Sequence, residues 1–589
     1  MHSFSIGDTD FLLDGAPYRV LSGAIHYFRV HPDLWADRIR KARLMGLNTI
    51  ETYVPWNEHA PVRGEFDTAG RLDLARFLDL VAAEGMHAIV RPGPYICAEW
   101  HDGGLPSWLV ADTDLVLRTS DPAYLEAIGE YLDAVYAIVR PRQIHLGGSV
   151  ILVQIENEYG AYGADKEYLR RLTAITREQG IDVPLTTVDQ PYDDMLENGG
   201  LPELHRTGSF GSRSAERLAT LRRHQPTGPL MCSEFWCGWF DTWGEVHHVT
   251  SAEDSARELD ELLAAGASVN IYMFHGGTNP GFTNGANHKG TFRPIATSYD
   301  YDAPLAEDGT PNEKFHRFRE VIAKYAPVPD EVPAERTDAP AFEVTLDRSV
   351  AIWDVPAEAG ESFDRLPAAA EFGSTRGFMR YSTTIEHGGL LAFRSVRDRA
   401  QVFLDGTFLG TLDRELHERM LPLPAEARGE LTLLVENQGG VNYGPRLGEP
   451  KGLIGPATLD GVPLTEWRAA PVRLDDVGLE AVRAALVAAP QSEDGAGAAL
   501  SGPVFAAATF SLDEPAGLHL ELPGFTKGVI WVNGVNLGRY WSRGPQRTYF
   551  VPAPVLRAGE NELVVFETVG ARTATVRFVA RPELGPTEV

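Results

Sequence analysis

Two glutamates define the chemistry open to this chain. Glu158 sits in the run Gln154-Ile-Glu-Asn-Glu-Tyr-Gly160, and Glu234 lies in Cys232-Ser-Glu-Phe-Trp236, 76 residues further on (234 − 158). Two opposed carboxyl groups among aromatic side chains are the minimum apparatus for cleaving a glycosidic bond. One is protonated and donates to the leaving oxygen; the other is ionised and attacks, or activates water. A like charge nearby raises the pKa of whichever carboxyl is less well hydrogen-bonded, keeping it protonated near neutral pH. Trp100, Trp108, Trp236, Trp239 and Trp243 cluster near the same motifs, and aromatic faces stack on the apolar faces of sugars. A lone Glu in an acidic chain is ordinarily solvated or ion-paired, so the reading rests on the pair. Other chemistries lack their residues. Cys97, Cys232 and Cys237 are too few for a disulfide framework, and no His/Cys run has zinc spacing, so neither metal nor cofactor is expected.

These carboxylates can meet only if a larger scaffold brings them together. Up to about residue 325, apolar strand-like runs alternate with helical patterns, as in repeated βα units around a parallel sheet. The strands are expected at 18–26, 49–55, 87–92, 150–156, 183–188, 205–210, 230–234 and 268–275, the sixth having the weakest pattern. Helical stretches at 33–46 and 72–85 both end at Gly. Eight such units suit a (β/α)8 TIM barrel, in which catalytic side chains project from the C-terminal ends of the strands. Glu158 and Glu234 both fall at such ends. A strict pleat would turn Asn157 away from the site that Glu158 faces, so the fourth strand must end or bulge there. Glu156 reads as structural, paired with Arg91 of the neighbouring strand.

A Pro-rich linker (326–340) follows the catalytic barrel (1–325), and beyond it short alternating strands dominate. Gln401-Val-Phe-Leu-Asp-Gly-Thr-Phe-Leu-Gly410 and Ile530-Trp-Val-Asn-Gly-Val-Asn-Leu-Gly538 resemble each other. Their Asp405-Gly406 and Asn533-Gly534 pairs signal type I′ hairpins, and a Gly-Glu strand follows each. The pattern predicts two related β-sandwiches, at 341–490 and 501–589, joined by a flexible segment at 491–500.

The motifs carry a resemblance. Thr52-Tyr-Val-Pro-Trp-Asn57, Arg91-Pro-Gly-Pro-Tyr-Ile-Cys-Ala-Glu-Trp100, Gly103-Gly-Leu-Pro-Ser-Trp108, Gln154 to Gly160, Ser233-Glu-Phe, Tyr272-Met-Phe-His-Gly-Gly-Thr-Asn279 and Thr297-Ser-Tyr-Asp-Tyr-Asp-Ala-Pro-Leu305 occur in order across nearly the whole barrel region. They resemble the β-galactosidases of glycoside hydrolase family 35. The resemblance implies jelly-roll, galactose-binding-like folds for the sandwiches and exo-acting, retaining hydrolysis of terminal β-D-galactosides. Glu158 would be the acid/base and Glu234 the nucleophile. It also implies galactose contacts from Tyr53, Cys97, Glu99, Asn157 and Tyr301, with Tyr272 and the backbone of Ala98 as further contacts. Trp236 stands where many relatives carry Tyr and would form the wall beside the nucleophile. Tyr301 is expected to donate to Glu234. Non-secreted relatives of this size make a β-1,3 preference the expectation. Two other readings remain: a carbohydrate-binding protein that no longer cuts, and an enzyme acting on another sugar.

Composition bounds the partners. At 589 residues the chain exceeds one compact core, and 53 Lys and Arg against 82 Asp and Glu give a net charge of −29. That charge repels nucleic-acid phosphates and anionic lipid, and no run approaches the ~18 apolar residues of a membrane span. The expected partner is a small galactoside or oligosaccharide, with no nucleic acid and no membrane. The opening residues lack an export-signal pattern, so a cytoplasmic home is expected, as is a homodimer.

Overall fold

The computed structural model describes residues 2–112, 114–357, 359–491 and 499–588. Residues 492–498, the middle of the expected flexible segment, lie outside the described residues. Eight strands form a closed barrel: β1 (Leu21–Ile25), β2 (Thr49–Tyr53), β3 (His87–Arg91), β4 (Val150–Gln154), β5 (Leu185–Asp189), β6 (His205–Ser209), β7 (Met231–Trp236) and β8 (Ser268–His275). Neighbours pair in parallel, and β8 pairs back onto β1. Nearly every strand residue is buried, as expected when side chains fill the barrel on one face and meet helices on the other. The weakly patterned sixth strand forms because both neighbours supply its ladder.

Local signals set the outer helices. Trp35–Met45 stops at Gly46, whose φ of 103° is left-handed, a conformation that only Gly adopts cheaply. Leu74–Ala83 starts where the Asp73 carboxylate accepts from the Arg76 N–H. The Pro-rich stretch after the barrel carries no regular structure and is pinned to it: Arg40 pairs with Glu331 at 2.7 Å, and Arg336 with Asp308 at 3.1 Å.

The later strands include β9 (Phe342–Thr345), β10 (Arg348–Ala351), β11 (Gly377–Ile385), β12 (Arg399–Leu404), β13 (Gly429–Asn437), β14 (Trp467–Val472), β15 (Val504–Leu512), β16 (Lys527–Val532), β17 (Gly559–Glu567) and β18 (Thr575–Val579). They build two sandwiches, with one correction to the expected 341–490 boundary. β9 pairs with β18 and β10 with β15, so residues 342–351 belong to the second sandwich. Alternating polarity identifies a strand but not a partner more than 150 residues away. The first sandwich begins at Glu361–Phe363 and runs through β14. The paired hairpins form as expected: Asp405 and Gly406 have φ of 45° and 79°, Asn533 and Gly534 of 49° and 84°. Each turn side chain accepts a backbone N–H at 2.9 Å from the following Gly-Glu strand, Glu430 in one copy and Glu562 in the other.

The three units lock together. Phe378, Phe403 and Leu434 of the first sandwich share a buried cluster with Trp531 and Phe566 of the second. Buried Arg539 donates to Glu436 of the first sandwich at 3.0 Å and to Asn284 of the barrel at 2.5 Å, which ties all three.

Candidate active site

The C-terminal ends of the barrel strands open onto a cleft of about 660 Å³ including its open mouth. All ten residues singled out in the sequence line it: Tyr53, Cys97, Ala98, Glu99, Asn157, Glu158, Glu234, Trp236, Tyr272 and Tyr301. β4 stops at Gln154, and Glu156 and Glu158 then take left-handed φ values of 60° and 44°, which breaks the pleat and lets Asn157 and Glu158 share one cavity. β7 runs to Trp236 with a register shift around Ser233 and Glu234, a bulge that aims the Glu234 carboxylate into the cleft.

Glu234 is held by three donors. The Tyr53 hydroxyl reaches Oε1 at 2.9 Å, the Arg91 guanidinium reaches the same oxygen at 2.5 Å, and the Ser209 hydroxyl reaches Oε2 at 2.7 Å. A carboxylate accepting through both oxygens suits this environment. Tyr301 does not supply the expected hydrogen bond. It lines the cleft with its ring edge-on to Tyr272 at 5.4 Å, and Tyr53 on β2 takes the donor role. Arg91 also donates to Asn157 Oδ1 and lies 3.3 Å from Glu51 Oε2. Glu51 is steadied in turn by the Asn270 amide at 2.8 Å. Burial pushes the Glu51 carboxyl up to about 7, although Arg91 pulls it down.

The expected Glu156–Arg91 pair is also corrected. The left-handed turn at Glu156 rotates its side chain out of the barrel row and onto Arg118, which grips it at 3.0 and 2.8 Å, and Tyr168 donates at 2.8 Å. Arg118 donates to the Asn157 carbonyl at 2.8 Å as well, so Glu156 stays structural, bracing the turn that carries Asn157 and Glu158.

Glu158 has a different environment from Glu234. Its Oε1 is buried with no hydrogen-bond partner among the described residues. Burial pushes its carboxyl up to about 7 and the facing charge of Glu234 adds to the rise, while the neighbouring polar side chains of Ser209 and Gln190 draw it back. The two glutamates thus have the asymmetry that separates acid from carboxylate in one site.

One wall of the cleft is a strained loop. Cys97, Ala98 and Glu99 have consecutive φ values of 55°, 53° and 49°. Arg29 fixes the turn by donating to the Ala98 carbonyl at 2.5 Å, and the Tyr299 hydroxyl donates to Glu99. Burial pushes the Glu99 carboxyl up to about 7, with Tyr299 and Arg29 opposing. Burial raises the Cys97 thiol to about 12, leaving it a protonated weak donor rather than a nucleophile.

Of the five tryptophans, Trp236 and Trp239 line the cleft, their rings 5.8 Å apart and edge-on, and Trp239 stacks on Phe240 at 4.9 Å. Trp100 is buried beside Arg29, Trp108 packs on Trp56, and Trp243 belongs to the second-sandwich core.

Sequence reasoning missed Arg91 as a partner of Glu234, along with Ser209, Gln190, Tyr299, Asn287, Lys289 and Tyr443. Tyr443 comes from the first sandwich. Its loop is stitched to the barrel through Gly440 N–H to His101 at 2.8 Å, Asn442 N–H to the Ala286 carbonyl at 3.0 Å, and Tyr95 hydroxyl to the Asn442 carbonyl at 2.5 Å. Asn442 also donates to Cys97 Sγ at 3.6 Å. Arg91 could have been flagged as a buried cation in a barrel strand; nothing local marks Tyr443.

Comparison with known proteins agrees with this layout. The model of glycosyl hydrolases family 35 matches residues 10–325. That of the β-galactosidase first all-beta domain matches 368–473, and that of the β-galactosidase galactose-binding domain matches 503–561. The chain is 40% identical to the β-galactosidase of Homo sapiens over 612 residues, covering 98% of this chain and 89% of that protein. It is 39% identical to the β-galactosidase of Xanthomonas manihotis, covering 93% and 91%, and 40% identical to a β-galactosidase-1-like protein of Mus musculus, covering 98% and 91%.

Proposed function

Because the chain belongs to glycosyl hydrolase family 35 and is a glycoside hydrolase of galactosides, we propose that it removes terminal non-reducing β-D-galactosyl residues with retention. In the first displacement Glu234 attacks the anomeric carbon while Glu158 gives its proton to the departing glycosidic oxygen. In the second, Glu158 takes a proton from water as that water displaces Glu234 from the anomeric carbon. The observation that carries this reading is the contrast within one cleft: Glu158 with a buried unpartnered oxygen and a raised pKa, and Glu234 fixed by three donors. Asn157 spends its carbonyl on Arg91, which leaves its amide N–H₂ for the sugar 2-hydroxyl. Glu99 and Cys97 face the remaining ring hydroxyls, where a misplaced epimer would leave buried polar groups unpaired.

We further take the favoured linkage to be β-1,3. Trp236, Trp239 and Tyr443 all line the cleft, and such aromatic walls suit an acceptor joined through a ring carbon and held against the galactose. A 1,6 linkage would add a rotatable bond there.

The test is hydrolysis of β-1,3-, β-1,4- and β-1,6-linked galactosyl disaccharides, followed by NMR of the first product anomer. The expected result is fastest release from the β-1,3 isomer with β-galactose appearing first. Initial α-galactose would refute double displacement, and faster β-1,4 or β-1,6 cleavage would refute the linkage.

A further inference from the structure

The six-stranded sheet of the first sandwich carries a second groove on the face turned away from its own core. Alternation along the strands separates the two faces. Met379, Tyr381, Leu431, Leu433 and Ala469 point into the sandwich, while Arg380, Ser382, Thr432 and Arg468 point out. The groove holds about 1240 Å³ including its open mouth. Ser382 is in register with both Thr432 and Arg468, and Thr432 with Phe403, so four side chains stand in one row across neighbouring strands. At ~4.8 Å between strands the row is about 14 Å long, the length of a short oligosaccharide rather than a single ring. Trp353 forms one wall, its ring edge-on to Phe403 at 5.1 Å.

The polar side chains of this groove are unspent. Among the described residues, the Trp353 indole N–H and the side chains of Arg380, Ser382, Thr432, Arg468 and Glu430 make no hydrogen bond or ion pair within the protein. Partly buried arginines elsewhere in this sandwich do pair, as Arg414 does with Asp398 and Arg376 with Glu58. The mixture of groups selects the ligand. Glu430 and Asp405 line the groove beside the two arginines, which disfavours a phosphate or other concentrated anion. Sugar hydroxyls donate and accept at once, so they can satisfy guanidinium, carboxylate and hydroxyl in turn, and a pyranose face can lie on Trp353.

We propose that this groove binds an uncharged oligosaccharide segment of a galactoside chain. Beyond Thr432 the same face of β13 is closed, because Leu434 and Glu436 are buried against the second sandwich, Glu436 on Lys527 and Arg539, so the groove is a site separate from the catalytic cleft. Binding stands on the groove's own observations; that the sugar is a galactan rests on the function proposed above.

The experiment is affinity electrophoresis in gels containing soluble linear β-galactan. The proteins are Glu234→Gln and the same protein carrying Trp353→Ala or Arg468→Ala. Arg468 is exposed and packs against nothing in the core, so its variant is expected to keep the fold even if Trp353→Ala disturbs Phe403. The expected result is retardation of Glu234→Gln, weakened at least about fivefold by either added substitution and competed by neutral galacto-oligosaccharide. In otherwise wild-type protein, kcat/KM for nitrophenyl β-galactoside should stay within about twofold for both variants. Equal retardation of parent and variants, no retardation of the parent, or displacement by inorganic phosphate but not by oligosaccharide would each overturn the proposal. Residual galactosidase turnover by Glu234→Gln would instead strike the catalytic assignment and leave the electrophoretic comparison readable.

Discussion

Replacing Ser209 by alanine should move the alkaline limb of the pH–rate profile upward, and replacing Tyr53 by phenylalanine should not. The general acid must be protonated in the free enzyme, so kcat/KM should fall as pH rises through the Glu158 pKa of about 7. The Ser209 hydroxyl donates to Glu234 at 2.7 Å and lies close enough to Glu158 to draw its pKa down, whereas Tyr53 donates to Glu234 alone. A hydrogen bond to a charged group contributes about 1.5–3 kcal/mol. The Ser209 proton is committed to Glu234, so Glu158 feels the hydroxyl as a neighbouring dipole rather than a full bond, about 1 kcal/mol. At 1.36 kcal/mol per unit that is a shift of about 0.5–1 unit, upward because the lost dipole favoured the charged form. Each variant also loses a donor to Glu234, which should lower kcat/KM by about 10- to 100-fold. The assay is kcat/KM for nitrophenyl β-galactoside from pH 4 to 9, with the two variants compared side by side. A limb that stays put or moves down in Ser209→Ala, or moves equally in Tyr53→Phe, would refute the assignment of Glu158 as the titrating acid.

Arg118→Met should destabilise the fold by about 3–5 kcal/mol, because Glu156 is left buried without its cation. Adding Glu156→Gln should recover much of the loss in urea unfolding. Stability should rise as pH falls from 8 to about 6.5. Glu51, Glu99 and Glu158 are raised to about 7 and Glu307 to about 8, so the folded chain binds protons that the unfolded chain releases. From about pH 6.5 down to 4.5 His59 and His205, lowered by burial to about 4, oppose the gain because unfolding lets them charge, but two imidazoles offset only part of four carboxyls, so the rise should flatten rather than reverse; urea midpoints across the range test the sign. Gly440→Ala should cut kcat/KM by about 10- to 100-fold with an unchanged circular dichroism spectrum. Its Cβ would fall 2.2 Å from Asp102 Oδ1 and push the Tyr443 loop off the cleft.

The barrel was legible because its strands are fully buried and punctuated by Gly and Pro, so composition alone marks them; the loss of pleat after Gln154 followed from asking how Asn157 and Glu158 could share a ligand. What escaped was pairing. Arg91 and Arg118 are chemically equivalent candidates for Glu156, and only the left-handed turn at Glu156 decides between them. Tyr53 and Tyr301 could both donate to Glu234, and the choice depends on ring directions inside a closed barrel. The transfer of β9 and β10 to the second sandwich and the arrival of Tyr443 at the cleft are contacts across 100 residues or more. Local periodicity carries no signal for these.

The assignment of Glu234 is tested most directly by trapping the galactosyl-enzyme. Incubation with an activated 2-deoxy-2-fluoro-β-galactoside, followed by peptide mass spectrometry, should give one stoichiometric adduct on Glu234, released with recovery of activity when a sugar acceptor is added. An adduct on Glu158 or any other residue, or inactivation with no covalent mass, would contradict the proposed nucleophile.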